Sequence, residues 1–594
     1  MVEADVPATN CSKCGRRMRV RKTWKRSGVT LAHGRFTLRQ KEHACPAGCP
    51  KGNQPGALSL LIPPRSAMGY DVMAKIGLWR FLDFRQREEI RSELAAKHGL
   101  PLSSGEVSVL AARFLTYLER LHQASTPALR AALVADGGWP LHVDATGEDG
   151  RGTLLVAFAG WRQWVLGSWK VPTERAEVIL PRLREVAFRF GAPCAIMRDL
   201  GRAMAEASES LCREQQRSIP VLACHLHFLR DIGTDLLEDR HHRLRGLFRQ
   251  TRVRRQLRIL ARDLGRGLGS QVEEGRAGLR QWQSDISNRR RIPGGIAGLA
   301  VVRGLTQWTL DYPADSAPEG FPFDLPWLRL YDRCLQSVSA VQAFLQSPPE
   351  DHKVRRALER LARILHPIDS DTPAFGELVA DLSARSALFA ELRQALRLTG
   401  GSKPPQTNIS RKDLLDIRAA VKRLNHSLRC RRLSPDLGKA RDIVVAHLAA
   451  HQPFLWGHVI RLPKKSGGGF RLVDRTNNIL ESYFHRLKHG ERRRSGRKVL
   501  TQDFEHLPPA AALAANLNHE DYVKIICGSL DRLPEAFAQL DASPHRQPAT
   551  TTALRRDPET ASLSTADRRL IRTQEMADCV MDAAESHHRK DTAA

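Results

Sequence analysis

Between residues 138 and 239 the sequence changes its hydrophobic period in an order that few folds accommodate. Three β-like runs come first, and the Gly-rich or polar turns between them predict an antiparallel meander: "WPLHVDATG", "GTLLVAFAG" and "RQWVLGSWKVP". Helix and strand patterns then alternate, in "TERAEVILPRLREVAFRFG", "PCAIMRD", "GRAMAEASESLCREQQ", "IPVLACHLH" and "FLRDIGTDLLED". The segment therefore predicts an α/β domain built on one sheet.

Two acids stand at the ends of strands in this order. Three strands followed by alternating helices and strands is the order of an RNase H-like domain, in which the first and fourth strands are neighbours in a mixed sheet. Asp144 ends the first strand and Asp199 ends the fourth. Their carboxylates are therefore expected to come together, although an Asp at a strand end is also a common turn former.

A third acid lies far along the chain, in "RLVDRTNNILESYFHRLKHGERRRSGRK". Glu481 falls in the first turn of a predicted helix, and an acid is also common there because the helix dipole favours it. Neighbouring carboxylates repel each other unless cations lie between them, and Mg²⁺ or Mn²⁺ suits oxygen ligands. A third carboxylate can complete a site for two such ions.

The net charge points to a polyanionic partner. The 594 residues contain 93 Lys and Arg against 64 Asp and Glu, a difference of 93 − 64 = +29, and the usual partner of so basic a chain is nucleic acid. Apolar stretches such as "GGIAGLAVV" are too short to span a membrane. The length predicts several domains, and the expected location is cytoplasmic, in a bacterium and on its nucleoid, with no membrane partner.

Four of the 11 cysteines fall before residue 50, which favours metal binding over disulfides. Cys11-x₂-Cys14 and Cys45-x₃-Cys49 predict a structural Zn²⁺ site in a zinc-ribbon-like domain over 1–55, and the alternative is four free thiols. Basic and aromatic residues between the pairs suit DNA: Arg17, Arg19, Lys22 and Trp24.

Residues 70–136 read as helical. "REEIRSELAAKHG" and "EVSVLAARFLTYLERLH" are joined by a short turn, and the second opens with the capping-box spacing Ser103-x-x-Glu106. A DNA-binding helix-turn-helix and a plain packed helical pair both fit this pattern.

From 240 to 454 the chain is rich in Leu and Arg at helical spacing, which predicts an α-helical insertion. Arg254 and Arg258 belong to an arginine-dense part suited to DNA phosphates, and a solvated helix face is the alternative. Residues 544–594 are expected to form a flexible tail.

Four short motifs resemble, in this order, those of the DDE transposases of the Mutator-like superfamily and related bacterial insertion sequences. They are "HVDATG", "IMRD", "CHLH" and "TNNILESYFHRLK". The resemblance covers a first stretch that begins at Pro140 and a second that begins at Leu455. It implies an RNase H-like catalytic domain over 138–239 and 455–535, split by the insertion, in which Asp144, Asp199 and Glu481 hold two catalytic Mg²⁺ ions.

Several further residues are candidates for the same site. Cys224-x-x-His227 supplies only two ligands, too few for zinc alone. The pair is read as a buried strand cysteine with a histidine at the strand end, and the alternatives are support for the active site and contact with DNA. Asn477 and Asn478 are candidates to cap the helix or to contact DNA. The basic residues after Glu481 are candidates to hold the DNA backbone: Lys488, Arg492, Arg493, Arg497 and Lys498.

The function expected from this resemblance is transposition. The protein would bind the ends of its mobile element, cut and join DNA with the split catalytic domain, and act as a homodimer or higher oligomer. The alternatives are a nuclease with the same metal site but no strand transfer, and a transposase-derived DNA-binding regulator.

Overall fold

The computed structural model of the protein describes residues 2–4, 10–11, 13–49, 60–148, 151–215, 218–284, 291–317, 319–369, 373–398 and 410–542. The predicted tail at 544–594 lies outside these ranges. The chain divides into two compact units. Unit 1 comprises Met1–Ser125, Arg493–Ser495 and Leu513–Ala594, and unit 2 comprises Thr126–Arg492 and Gly496–Ala512. Within the described ranges, no helix is both long and apolar enough to cross a bilayer.

Unit 1 begins with a long β-hairpin. Strands β2 (Arg19–Thr30) and β3 (Gly34–Ala44) pair antiparallel from Arg19↔Ala44 to Thr30↔Gly34, and β1 (Val2–Ala4) pairs parallel with β3. Cys11 and Cys14 come before β2, and Cys45 and Cys49 come after β3. The hairpin therefore brings the two predicted cysteine pairs to the same end.

Helices make up the rest of unit 1. They are α1 (Tyr70–Phe81), α2 (Arg87–His98) and α3 (Ser104–Ala124), with the later α18 (Glu520–Ile526) and α19 (Leu533–Ala542). The predicted capping box is present, since Ser103 Oγ accepts from the Glu106 N–H and Glu106 Oε2 accepts from the Ser103 N–H. The segment 513–535, which the sequence assigns to the catalytic domain, belongs to unit 1 instead.

Unit 2 contains a five-stranded mixed sheet in the order β6-β5-β4-β7-β8. The strands are β4 (Pro140–Glu148), β5 (Arg151–Ala159), β6 (Trp164–Lys170), β7 (Ala195–Arg198) and β8 (Val221–Ala223). The first three are antiparallel, as the meander predicts, whereas β4, β7 and β8 are parallel. Three helices accompany them, α4 (Thr126–Ala135), α5 (Ala176–Phe190) and α6 (Arg202–Glu214).

A large helical region separates β8 from the end of unit 2. Its helices are α7 (His225–Gln250), α8 (Val253–Leu268), α9 (Val272–Ser284), α10 (Gly295–Leu310), α11 (Pro326–Gln346), α12 (His352–Asp369), α13 (Pro373–Ala395), α14 (Arg411–Cys430) and α15 (Pro435–His451). One apolar core runs through it, from Phe228 on α7 to Leu448 on α15. The predicted boundary at 240 falls inside α7, which starts directly after the sheet.

The chain then returns to the sheet. Strands β9 (Val459–Arg461) and β10 (Phe470–Leu472) form a small antiparallel pair, followed by α16 (Asn478–Ser495) and α17 (Thr501–His506). The backbone N–H of Ala223 donates to Phe454 O at 2.8 Å, and that of His225 donates to Arg475 O at 2.9 Å. These bonds fasten the returning chain to the end of β8. The prediction that Asp144 ends its strand is wrong, because β4 continues to Glu148, whereas Asp199 directly follows β7.

Candidate active site

The pairing of β4 with β7 determines where the first two acids lie. The two strands run parallel, and their register pairs His142 with Met197. Continued along both strands, the same register places Asp144 opposite Asp199, just where β7 ends. Both acids line one cavity of about 570 Å³.

Asp144 is the most strongly perturbed acid of this cavity. Its Oδ1 accepts from the Ala145 N–H at 2.8 Å and its Oδ2 from Asn477 Nδ2 at 3.4 Å. Burial is the largest cause that raises the pKa of Asp144 to about 8, and the negative charges of Asp199 and Glu481 contribute to the same shift. The folded chain therefore keeps a carboxylate where its ionised form is costly without a nearby cation.

Asp199 sits on the turn that leads into α6. Its Oδ1 accepts from the Gly201 N–H at 3.1 Å, and a Cβ at position 201 would lie 3.1 Å from Oδ2. A side chain at 201 would therefore crowd the carboxylate. The cavity is also lined by exposed charged residues: Glu174, Arg175, Glu177, Arg202 and Glu206.

Glu481 comes from α16, whose start is held in place by Asn477. The Asn477 carbonyl accepts from the Glu481 N–H at 3.0 Å, as expected for the residue before a helix. Its side chain does not cap the helix. Instead it is fully buried, with Oδ1 3.0 Å from His142 Nδ1 and Nδ2 directed at Asp144. Asn477 thus connects the strand of one acid to the helix of another.

The carboxylate of Glu481 also faces Cys224 and His227. Its Oε1 lies 3.6 Å from His227 Nε2, and within the described ranges this oxygen is buried without a hydrogen-bond partner. Ligand atoms of Cys224, His227 and Glu481 all lie within 4.8 Å of one another. The prediction of a histidine at a strand end is wrong, because β8 stops at Ala223 and His227 lies in the first turn of α7.

The oxygens of the three predicted acids lie farther apart than the ligand atoms of Cys224, His227 and Glu481 do. Among the described residues, Asp144, Asp199 and Glu481 do not all bring their oxygens within 4.8 Å of one another. Ligands divided between two ions about 3.5–4 Å apart need not meet that spacing. The carboxylate oxygens and the raised pKa of Asp144 together fit divalent cations such as Mg²⁺.

Four cysteines of unit 1 form a separate cluster. The ligand atoms of Cys11, Cys14, Cys45 and Cys49 lie within 4.8 Å of one another, and two of the sulfurs, of Cys14 and Cys45, are 3.4 Å apart. A hydrogen bond from the Ala47 N–H is the largest cause that lowers the pKa of the Cys45 thiol, to about 6. Four sulfurs at this spacing could hold a metal such as zinc.

The predicted DNA-contact residues have different surroundings. Within unit 2, Lys488 Nζ donates to Gly147 O at 2.8 Å, and the Arg254 guanidinium lies over the rings of Tyr312 and Trp327. Arg492 Nε donates to Lys498 O at 3.3 Å, and Arg497 Nη1 to Gln502 Oε1 at 3.1 Å. The other basic candidates are exposed: Arg17, Arg19, Lys22, Arg258, Arg493 and Lys498. The side chain of Trp24 lies outside what the structure describes.

Sequence reasoning missed His142, which lies on β4 just before Asp144. Burial lowers the pKa of its imidazole to about 4, so the ring is neutral and carries one N–H. Asn477 Nδ2 faces the acceptors Val143 O and Asp144 Oδ2, which leaves Asn477 Oδ1 to accept from His142 Nδ1. A Cβ on Gly160 would lie 2.4 Å from His142 Nε2, so a glycine is needed there. The motif "HVDATG" contains this histidine but does not reveal its distant partner.

No protein-family model matches this chain, and no curated protein matches it either.

Proposed function

We propose that the protein is a DDE-type DNA transposase with an RNase H-like catalytic module in unit 2. Numbered within the module, its five strands lie in the order 3-2-1-4-5, with the first three antiparallel and the last two parallel to the first. The observation that carries the proposal is the register of β4 with β7, which aligns Asp144 with Asp199 in one cavity. The negative charge of Glu481 also acts on Asp144, since it helps to raise the pKa of that carboxyl.

In this proposal Asp144, Asp199 and Glu481 hold two Mg²⁺ or Mn²⁺ ions. When bound, such ions polarise a phosphodiester and favour ionisation of the attacking oxygen. The protein's own part is positioning. Ala145 and Asn477 orient the Asp144 carboxylate, Gly201 orients that of Asp199, and Asn477 sets the start of the helix that carries Glu481.

The proposed substrate is DNA, namely the element ends and the target. The net charge of +29 supports this, and so does the exposed basic hairpin of unit 1, which carries Arg17, Arg19 and Lys22 at or beside β2. The cysteine cluster would hold a zinc ion that fixes the base of the hairpin. Joining two ends to one target favours a homodimer or higher oligomer.

The test is incubation of the full-length protein with DNA carrying the ends of the element that encodes it, in the presence of Mg²⁺, followed by sequencing of the products. We expect cuts at the ends and joined target DNA. Asp144→Asn, Asp199→Asn and Glu481→Gln should each reduce cleavage by at least about 100-fold. Glu185→Gln is the matched control, because Glu185 pairs with Arg182 and Arg189 on the surface of α5.

Each other outcome has a definite meaning. Wild-type cleavage by any of the three variants removes that residue from the site. Cleavage without joined products would indicate a nuclease that lacks strand transfer, and DNA binding without any cleavage would indicate a regulator.

A further inference from the structure

We infer that Cys224, His227 and Glu481 form a second metal site of unit 2, selective for a transition metal such as Zn²⁺ and sharing Glu481 with the carboxylates of the cavity. The three ligand atoms, one sulfur, one nitrogen and one oxygen, lie within 4.8 Å of one another. The site itself follows from this geometry and does not depend on the proposed function.

The local backbone holds Cys224 and His227 in position. Cys224 directly precedes α7 and its carbonyl accepts from the Phe228 N–H at 2.9 Å, so the helix starts there. Residues three apart in a first turn lie on one face, which directs the sulfur and the imidazole to the same side. The Asn477 N–H donates to Cys224 Sγ at 3.2 Å, so the fully buried sulfur already acts as an acceptor.

The third ligand, Glu481, comes from α16. Glu481 Oε1 lies 3.6 Å from His227 Nε2, and neither this oxygen nor His227 Nδ1 has a hydrogen-bond partner among the described residues. Asn477 connects the Cys224 side of the cluster to the Glu481 side. Its N–H donates to Cys224 Sγ, and its carbonyl accepts from the Glu481 N–H in the first turn of α16. A Zn²⁺ ion held between the three atoms would make bonds of roughly 2.0–2.3 Å to them.

The donor set decides which metals bind. Mg²⁺ takes oxygen ligands, so a thiolate and an imidazole exclude it, whereas Zn²⁺ accepts sulfur, nitrogen and oxygen together. Three protein ligands leave a fourth tetrahedral position open. Cys224 must lose its proton to bind, so metal binding releases a proton here.

One consequence rests on the proposed function. A Glu481 carboxylate bound to Zn²⁺ beside Cys224 and His227 is withdrawn from the Mg²⁺ ions at Asp144 and Asp199. Zn²⁺ at about ten times its dissociation constant for this site should therefore compete with Mg²⁺ and raise the Mg²⁺ concentration needed for half-maximal cleavage by about tenfold. His227→Gln should remove most of that effect.

The primary test measures bound metal without DNA or cleavage, so it stands even if the protein proves not to be a transposase. Full-length protein is equilibrated with Zn²⁺, desalted and analysed for metal and for retained secondary structure. We expect two zinc ions per chain in the wild type, one in the ribbon and one here, and one in Cys224→Ala, His227→Gln and Glu481→Gln. His485→Gln, an exposed histidine on the same helix as Glu481, is the matched control and should keep two.

Spectroscopy on Co²⁺-substituted protein locates the second ion. The difference spectrum between wild type and Cys224→Ala should show the charge-transfer band of a single thiolate ligand. His227 and Glu481 are only partly buried, so their variants remain informative if Cys224→Ala fails to fold. A zinc content that is the same in the wild type and in all three ligand variants would overturn the inference.

Discussion

The side-chain amide of Asn477 donates a hydrogen bond to Asp144 Oδ2 over 3.4 Å, from the residue that immediately precedes the helix of Glu481. Its carbonyl oxygen faces His142 Nδ1 at 3.0 Å, and its backbone N–H binds Cys224 Sγ at 3.2 Å. One buried residue therefore joins three segments that lie far apart in the sequence: β4, the start of α7 and the start of α16. The relative position of Asp144 and Glu481 depends on it.

Replacing Asn477 by Ala should reduce cleavage by about 10- to 100-fold, since it removes the group that orients Asp144. Two buried hydrogen bonds are lost as well, so the free energy of unfolding should fall by about 2 kcal/mol. Single-turnover cleavage and denaturant unfolding measure the two effects. Asn478→Ala is the control, because within the described ranges the Asn478 side chain makes no hydrogen bond. Equal effects at both positions would contradict the role of Asn477.

The stability of unit 2 should depend on pH through Asp144. Its pKa is raised from 3.8 to about 8, with burial the largest cause, so the folded chain holds a proton that the unfolded chain releases. The folded state loses stability as pH rises through this window, from about pH 4 to about pH 8. Asp144→Asn lacks this titration, so its stability relative to wild type should increase across the same window.

Thermal unfolding at several pH values, without added Mg²⁺, measures this difference. Added Mg²⁺ should stabilise the wild type more at pH 8 than at about pH 6, because the ion must displace the Asp144 proton. The variant should show little of this effect. A stability difference that stays constant with pH would argue against a proton on Asp144.

Loss of one of the four clustered cysteines should abolish zinc binding by unit 1. Cys45→Ser removes a sulfur from the four-cysteine cluster at the base of the hairpin, so we expect one fewer zinc ion per chain and DNA affinity lower by about tenfold or more. Cys430→Ser changes an exposed free cysteine and should alter neither. Metal analysis and fluorescence anisotropy with DNA give the two readouts. Undiminished affinity after metal loss would remove the ribbon from DNA recognition.

Two arginines of α8 should have different roles, with Arg258 contributing to DNA binding and Arg254 to the stability of the fold. Arg258 is exposed, so Arg258→Ala should weaken DNA binding and lower the slope of log affinity against log salt by about one. The Arg254 guanidinium lies 5.2 Å from the ring centroid of Trp327, so Arg254→Ala should instead cost about 1 kcal/mol of stability. Anisotropy across a salt series and thermal unfolding distinguish them. A smaller salt slope for Arg254→Ala would place that residue on DNA.

Local patterns in the sequence predict much of this fold. Period-two alternation with Gly-rich turns predicts the strands of the meander, and all three are present as β4, β5 and β6. The capping-box spacing predicts the start of the helix after Ser103. These features depend on neighbours within a few residues, so they can be read without knowing the tertiary structure.

The surroundings of several site residues could not be predicted in this way. Lys488 follows Glu481 on a basic helix and reads as a DNA contact, yet in the fold its ammonium donates to Gly147 O. Cys224 and His227 read as the end of a strand, but His227 lies in the first turn of α7, and their neighbours are Asn477 and Glu481 from the start of α16. In each case a partner from another segment decides the environment.

From its sequence alone, the protein is determined to be a basic chain with an α/β segment, a helical insertion, two pairs of cysteines and three candidate acids, two in the strand region and one at a helix start. Composition, periodicity and spacing are local quantities, and they suffice for that. Only the tertiary structure decides that Asn477 bridges His142 and Asp144, and that Glu481 lies beside Cys224 and His227. Contacts between segments so distant in the chain depend on strand register and on how the chain returns after the insertion, and no local pattern encodes either.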